Sequence, residues 1–213
     1  MENVSETIAS YLLDIEAVKL RPQDPFKWAS GWLSPIYCDN RLTLSFPDIR
    51  NYIKNAFLDF IKTHYPQVEL IAGVATAGIP QAALVADALH LPFAYVRAEA
   101  KKHGLSNQVE GKVQKGQKIV VIEDLVSTGG SSLKAVQALR NQETDVLALL
   151  SIMTYNLEKA QQSFAQANLP FHSLCNYYQI LREAVKRDLI TEEAMASLQE
   201  WRKSPENWGY LAK

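Results

Sequence analysis

Between residues 68 and 155 the chain alternates short, almost continuously apolar runs with amphipathic stretches of helical length. The apolar runs are VELIAGVA, LPFAYVRAEA, KIVVIED and TDVLALLSIMTY, and the amphipathic stretches are IPQAALVADALH and SSLKAVQALRNQ. A strand that is apolar on both faces needs cover on both faces, which helices provide in a parallel sheet. The pattern therefore predicts an α/β fold with a parallel sheet flanked by helices, and one of those helices begins near Pro80.

The chain on either side of this alternation predicts smaller elements. Residues 4–17 have helical periodicity, residues 19–41 read as turns and short strands, and Pro47 opens another helix. The stretches LEKAQQSFAQAN, HSLCNYYQILREAVKRD and TEEAMASLQEWRKS are predicted to be mostly helical, with Trp201 and Trp208 as anchors. We expect one domain over residues 1–213. Its core covers approximately residues 46–160, and a small hood covers approximately residues 1–45 together with the C-terminal helical material.

Charge and composition exclude several classes of function. The formal net charge is -1, which gives no general attraction to nucleic acid or anionic lipid. The two cysteines, Cys38 and Cys175, are far apart and have no histidine at metal-ligand spacing, so reduced thiols are expected. No stretch reads as a signal peptide or a membrane span. We expect a cytoplasmic protein that has neither nucleic acid nor membrane as a partner.

Two adjacent acids, Glu123 and Asp124, end the run KIVVIED, and the turn LVSTGGSS follows them at once. Glycines and hydroxyls at the start of a helix suit a phosphate, because the first helical amides are free to donate. The stretch has no lysine at the P-loop position and no G-x-G-x-x-G pattern. The alternative is a plain turn capped by Ser131 or Ser132. Adjacent carboxylates repel each other, however, and need partners such as sugar hydroxyls or hydrated Mg²⁺.

The stretch KIVVIEDLVSTGGSS resembles the signature of the type I phosphoribosyltransferases, which bind 5-phosphoribosyl 1-diphosphate (PRPP). The resemblance implies the type I phosphoribosyltransferase fold. It implies that Glu123 and Asp124 face the ribose hydroxyls near Mg²⁺, which they hold indirectly, without a dedicated protein metal site. It also implies that PRPP contacts the residues that follow, namely Leu125, Val126, Ser127, Thr128, Gly129, Gly130 and Ser131.

The stretch AYVRAEAKKHG resembles the basic loop of the orotate phosphoribosyltransferases. In that family the loop closes over the diphosphate, and its lysine reaches into the site of the partner subunit. The resemblance implies that Arg97, Lys101 and His103 bind PRPP, that Lys101 is catalytic with Glu123 and Asp124, and that the protein is a homodimer with a shared loop. A basic residue that some members have after the arginine is Ala98 here.

The stretch FKWASGWLSPIYCDNR resembles the hood of the same family, which lies over the base. By this resemblance Tyr37 and Cys38 face orotate, together with Ser127 of the turn LVSTGGSS, which we call the phosphate turn. Some members have a lysine where this chain has Ala29.

The stretch GVATAGIP matches the diphosphate-binding turn of the family, so Thr76 and Ala77 are expected to contact PRPP. Some relatives have Tyr-Lys at these two positions. Some members also have, after the strand that ends in SIMTY, an arginine for the orotate carboxylate, where this chain has Asn156 and Leu157. The amides around Ser127 and the side chain of Arg41 remain as alternative partners for that carboxylate.

The resemblance implies a Mg²⁺-dependent transfer from PRPP to orotate, which gives orotidine 5'-monophosphate and diphosphate on the route to UMP. A purine or uracil phosphoribosyltransferase is the first alternative, and the hood and the basic loop argue against it. A PRPP-sensing regulator without catalysis is the second, and the net charge and the retained basic loop argue against it.

Overall fold

The computed structural model describes residues 2–27, 31–97 and 108–208. The helices in these ranges are α1 (Glu2–Asp14), α2 (Pro47–His64), α3 (Gly78–Leu89), α4 (Gly130–Arg140), α5 (Glu158–Gln166), α6 (Tyr177–Lys186) and α7 (Glu192–Lys203), with a 3-10 helix at Asn40–Ser45. The strands are β1 (Val18–Leu20), β2 (Phe26–Lys27), β3 (Leu33–Ser34), β4 (Ile36–Cys38), β5 (Leu70–Val74), β6 (Phe93–Val96), β7 (Val109–Glu110), β8 (Lys118–Val126), β9 (Asp145–Thr154) and β10 (Phe171–Asn176).

Six of the strands form one sheet in the order β10-β9-β8-β5-β6-β7. All neighbouring pairs are parallel except β6 and β7. Strand β5 lies inside the sheet and all of its residues are buried, which explains its unbroken apolar sequence. Because β5, β8 and β9 are parallel neighbours, the segments that follow them emerge at one edge of the sheet. We call this the carboxyl edge.

Helices cover both faces of the sheet, as the sequence predicts. Helix α2 begins with Pro47, whose fixed backbone suits the first helical position, and it buries Ile53 and Phe57 in the core. Helix α4 covers the opposite face, where Val136 and Leu139 are buried in the second apolar cluster. The parallel α/β architecture is confirmed.

The hood consists of α1, β1–β4 and the 3-10 helix, and the two C-terminal helices pack against it. Strand β1 pairs antiparallel with β4, and β2 pairs antiparallel with β3. The indole of Trp201, which is 0% exposed, donates from Nε1 to the carbonyl of Leu33 at 3.0 Å. Arg187 at the end of α6 donates to Asp14 Oδ1 at 2.6 Å. Trp208 is also buried, so both predicted C-terminal anchors are confirmed.

Three predicted boundaries differ from the structure. The helical prediction for HSLCNYYQILREAVKRD is wrong at its start, because residues 171–176 form β10 beside β9. The strand runs into α6 without a break, since the Asn176 side chain caps that helix by accepting from Gln179 N–H at 3.2 Å. The sheet therefore extends past residue 160. Helix α1 ends at Asp14, before Glu16 adopts a positive φ of 54°, and β8 continues through Val126.

None of the helices within the described ranges has the length and apolar character that crossing a bilayer requires.

Candidate active site

The two adjacent acids lie near the carboxyl end of β8, where only Leu125 and Val126 follow them in the strand. Glu123 is 5% exposed, and its Oε2 accepts a hydrogen bond from the hydroxyl of Ser132 at 3.0 Å. Its Oε1 accepts from the backbone N–H of Asp124 at 3.0 Å. Asp124 is less buried than Glu123. One acid is therefore held inside the fold, while its neighbour remains partly open to a ligand.

The environment of this pair disfavours two negative charges. Burial, followed by the charge of Asp124, raises the pKa of Glu123 well above its ordinary range. Burial also raises the pKa of Asp124. Two carboxyl groups in this situation favour a shared proton until a cation or hydroxyl donor approaches. A ligand that brings hydroxyl donors or a metal ion would therefore stabilise the ionised form of the pair.

The turn after β8 has the form expected of a phosphate cradle. Residues 127–129 connect the strand to α4, which begins at Gly130. Gly129 has a φ of +81°, and a Cβ atom there would lie 2.8 Å from Phe164. Glycine is therefore required for both the conformation and the packing of this turn. The partly exposed residues Ser127 and Thr128 lie directly before the first turn of α4, and the free amides of a helix N-terminus suit an anion.

Not all residues of the predicted PRPP set lie in the turn. Leu125 and Val126 belong to β8. The side chain of Val126 is buried in the core, and its carbonyl accepts from the Thr154 hydroxyl at 3.0 Å and from Tyr155 N–H at 3.2 Å. Val126 thus fixes the end of β8 against the end of β9. Ser131, in the first turn of α4, is exposed.

The predicted diphosphate turn lies beside the acids. Thr76 and Ala77 follow β5, the parallel neighbour of β8, and the Ala75–Thr76 peptide is cis. Gly78 begins α3, and a Cβ atom there would lie 2.6 Å from the carbonyl oxygen of Ile122. The absence of a side chain at this position lets the turn approach the end of β8, so the structure brings the two predicted PRPP segments together.

Arg97 occupies the next position along the same edge. It follows β6, whose last residue accepts through its carbonyl from Ala75 N–H at 2.8 Å. The backbone N–H of Arg97 donates to the carbonyl of Gln108 at 2.9 Å, and Nη1 lies 3.5 Å from Glu110 Oε1. Arg97 is therefore placed beside the diphosphate turn. Lys101 and His103, like Ala98, lie outside the described residues.

The hood reaches this edge through Asn40, which the sequence prediction missed. Asn40 is 1% exposed, and its Nδ2 donates to the carbonyl oxygen of Asp124 at 2.7 Å. The thiol of Cys38 lies 3.3 Å from Asn40 Oδ1. Burial raises the pKa of this thiol well above its ordinary value, so it stays protonated and acts as the donor. We call these contacts the hood joint: Cys38 to Asn40, and Asn40 to Asp124.

The two residues predicted to face the base have different orientations. Tyr37 is 42% exposed, whereas the Cys38 side chain is turned inward to the hood joint. This is the alternation that β4 imposes on consecutive side chains. Tyr37 therefore has an exposed ring, which contacts Phe26 at 5.6 Å between ring centroids, while Cys38 has only its backbone left for a ligand.

Two arginines, one in the 3-10 helix of the hood and one in α7, have defined hydrogen-bond partners. Arg41 forms a two-point ion pair with Asp39, with Nε to Oδ1 at 2.6 Å and Nη2 to Oδ2 at 2.8 Å. Arg202 of α7 donates from Nη1 to the carbonyl of Asn156 at 2.8 Å. It borders a cavity of about 590 Å³ whose lining includes Trp32 and Thr128.

Ser132 is the second residue that the prediction missed. The sequence allows it as a helix cap, but its hydroxyl instead holds Glu123. A hydroxyl one helical turn into α4 is a weak signal by itself, and the sequence gives no indication of the position of Asn40. Within the described ranges, no group of three or more His, Cys, Asp or Glu side chains is arranged to hold a metal ion.

Comparisons with known proteins agree with this geometry. The phosphoribosyl transferase domain family matches residues 42–165. An orotate phosphoribosyltransferase of Cytophaga hutchinsonii is 54% identical over 97% of this chain and 99% of its own length. The Bacillus subtilis orotate phosphoribosyltransferase is 52% identical over 99% of this chain and 97% of its own length.

The chain belongs to the orotate phosphoribosyltransferase family. The solved orotate phosphoribosyltransferase of Aeropyrum pernix superposes with a TM-score of 0.74 at 32% identity, covering 83% of this chain and 97% of that one. In this member of the family, the acids, the phosphate turn and the diphosphate turn share the carboxyl edge, and the hood is bonded to that edge through Asn40.

Proposed function

We propose that the chain transfers the 5-phosphoribosyl group from PRPP to orotate, which gives orotidine 5'-monophosphate and diphosphate. Such a pentosyltransferase supplies the nucleotide precursor of UMP. The observation that carries this proposal is the arrangement at the carboxyl edge. A partly open acid, Asp124, lies between the turn that opens α4 and a second turn, at Thr76 and Ala77, beside which Arg97 lies. A ligand that has a phosphate, sugar hydroxyls and a diphosphate matches those three features in order.

The chemistry requires no protein nucleophile, because the ring nitrogen of orotate attacks as an anion. The barrier lies in breaking the anomeric C–O bond, which builds positive charge on the ribose and negative charge on the diphosphate. Asp124 and Glu123 hold the ribose hydroxyls and favour the developing positive charge. Arg97, Lys101 and His103 neutralise the diphosphate, and closure of the basic loop excludes water that would hydrolyse PRPP.

The residues present suit Mg²⁺ as an ion carried mainly by the substrate. Mg²⁺ keeps several waters and is commonly held by one or two carboxylates plus phosphates. The raised pKa of the acid pair is consistent with this, since a cation beside the pair would favour its ionised form. Asp124 would hold the ion through water with support from Glu123, and the bound ion supplies charge neutralisation for the diphosphate.

The substrate test is an assay that follows the loss of orotate absorbance in the presence of PRPP and Mg²⁺. Adenine, hypoxanthine and uracil are tested in parallel with orotate. Consumption of orotate alone supports the proposal. Consumption of uracil or a purine in its place would assign a different base to the same fold. Binding of PRPP without any base consumption would indicate a regulator.

We infer further that the enzyme is a homodimer whose basic loop is shared between subunits. Lys101→Ala should lower turnover by orders of magnitude in a pure preparation, because the departing diphosphate loses a cation. When Lys101→Ala and Asp124→Asn subunits are mixed, a hybrid dimer contains one site that is wild type at both positions, and part of the activity should return. Verified mixed dimers without recovery would contradict sharing. A monomeric active enzyme would contradict the dimer itself.

We also retain the division into a core and a hood as a proposal, with β10 added to the core. Both cysteines are free and buried, as expected of a protein from the reducing cytoplasm, which is the location we propose.

A further inference from the structure

The base in the proposed reaction bears a carboxylate, and this charge is difficult to place near the catalytic acids. Asp124 and Glu123 lie at the carboxyl edge, to which Asn40 joins the hood that contains Tyr37, and like charges at short range destabilise one another. A site that selects a carboxylate therefore needs a cation with free N–H donors facing the cleft. The segment after β9 contains Asn156 and Leu157, neither of which is charged.

Arg41 is held in a fixed orientation by its neighbours. Its Nε and Nη2 atoms bind the two carboxylate oxygens of Asp39, whose Oδ1 also accepts from the backbone N–H of Arg41 at 3.2 Å. The 3-10 helix that contains Arg41 is fixed to the end of β8 by the bond from Asn40 to Asp124. A guanidinium oriented in this way loses little freedom when it binds a ligand.

The free edge of Arg41 is accessible, and the neighbouring residue Asn40 is bonded to Asp124 of the carboxyl edge. The side chain is 63% exposed, and within the described ranges no hydrogen bond uses Nη1. Asp39 is the main cause of the raised pKa of Arg41, with smaller contributions from Tyr37 and Asp124. The positive charge therefore lies within electrostatic range of both Tyr37 and Asp124.

The other cations described near the site fit this role less well. Arg97 lies on the diphosphate side and pairs with Glu110. Arg202 donates to the carbonyl of Asn156, and its cavity lies between Trp32 and the start of α5.

We propose that Arg41, oriented by Asp39, is the specificity-determining residue that binds the carboxylate of the pyrimidine base through its free Nη1 and Nη2 N–H groups. This inference rests on the proposed function. It assigns to the hood a task that the core edge cannot perform, because that edge is acidic.

The test compares ligand pairs that differ by the carboxylate. Arg41→Gln should raise the KM for orotate about tenfold or more, as expected for loss of a charged hydrogen bond, and should leave the KM for PRPP within about twofold. Binding of orotidine 5'-monophosphate, followed by tryptophan fluorescence, should weaken by the same factor. Binding of UMP, which lacks the carboxylate, should stay unchanged.

Three further variants separate recognition from structure. Arg41→Lys should recover part of the affinity for orotidine 5'-monophosphate, and Asp39→Asn should give an intermediate loss, because the guanidinium keeps its charge but loses its orientation. Arg182→Gln serves as the matched control, since that arginine lies over Tyr178 on the surface of α6. It should behave like the wild type in every assay.

Each outcome has a defined meaning. An unchanged KM for orotate in Arg41→Gln overturns the inference, and so does an equal weakening of UMP binding. A large rise in the KM for orotate in Arg202→Gln, without one in Arg41→Gln, transfers the role to α7 and also overturns it. If the wild type does not consume orotate at all, the proposed function fails. If the wild type consumes orotate and Arg41→Gln is unaffected, this inference fails while the proposed function stands.

Discussion

The carboxyl edge of the sheet and the hood are built in different ways, although they face the same cleft. The edge is the end of a parallel ladder in which Glu123 pairs in register with Ser151 of β9. The hood strands β2 and β3 have two residues each, and single side-chain contacts hold their surroundings in place. These include Trp201 to Leu33 and Asn40 to Asp124.

This difference indicates that the two regions have different tasks, namely the chemistry at PRPP and the selection of the base. The chemistry at PRPP needs atoms in fixed positions, and a backbone ladder with buried apolar strands supplies them. Selection of the base needs a surface that can vary between related enzymes, and a small hood attached by a few contacts can vary without disturbing the sheet. Changes at the edge should therefore alter rate or global stability, and changes in the hood should mainly alter affinity for the base.

The largest effect is expected from Asp124→Asn, which removes charge at the edge while it preserves size. We expect kcat to fall by about 10²–10³-fold, the range typical of a lost electrostatic contact in a transition state. The melting temperature should change little, since the residue is partly open. Orotate absorbance and thermal unfolding provide the two measurements. A variant with wild-type kcat would remove Asp124 from the chemistry and contradict this difference in tasks.

The second effect is expected from Gly78→Ala, which tests how tightly the two PRPP turns are packed. A Cβ atom would lie 2.6 Å from the carbonyl of Ile122, so the backbone must separate. We expect a loss of about 1–3 kcal/mol in the free energy of unfolding, typical of overpacking. Denaturant unfolding measures it. Gly130→Ala is the control, because nothing lies within 4 Å of its added Cβ, and its stability should not decrease.

The third effect is expected from Asn40→Ala, which breaks the hood joint. The carbonyl of Asp124 and the thiol of Cys38 both lose their partner, and an unpaired buried polar group costs about 1–3 kcal/mol. Denaturant unfolding measures this loss of stability. In steady-state kinetics, we expect the KM for orotate to rise by a larger factor than kcat falls. Asn207→Ala, at an exposed asparagine bonded to Ser204, should stay within about 0.5 kcal/mol of the wild type. An effect on kcat alone would mean that the hood joint contributes to the rate, like the carboxyl edge, and not to the affinity for the base.

The smallest effect is expected from Glu123→Gln, measured on the ligand-free enzyme. Because the pKa of Glu123 is raised in the fold, the unfolded chain releases this proton first as pH rises above the ordinary value of 4.5. Folded stability should therefore decrease with rising pH in the wild type. The variant should lose that slope and be more stable than the wild type near neutral pH. Glu69→Gln, at an exposed carboxylate, should keep the wild-type slope. A wild-type slope in Glu123→Gln would mean that another group causes it.

The sequence predicted much of the carboxyl edge because the local signals there agree with one another. The apolar runs predict buried strands, and Gly129 with its hydroxyl neighbours predicts a turn that opens a helix. The order of acids and turn along one strand end was enough to place Glu123, Asp124 and Ser127 together. Strand β10 was not predicted. It is a short run of mixed polar and apolar residues directly before α6, so the helical periodicity of α6 was extended over it.

The amino-acid pattern alone predicts the parallel core, the position of the acids near a strand end and the glycine-containing turn after it. Each of these depends on residues close together in the chain. The bond from Asn40 to Asp124 across 84 positions and the bond from Ser132 to Glu123 arise only in the folded chain, as does the inward orientation of Cys38 beside an exposed Tyr37. The physical reason is that a side-chain hydrogen bond between distant segments leaves no periodicity in the sequence. Its partners are fixed by how the hood packs on the sheet.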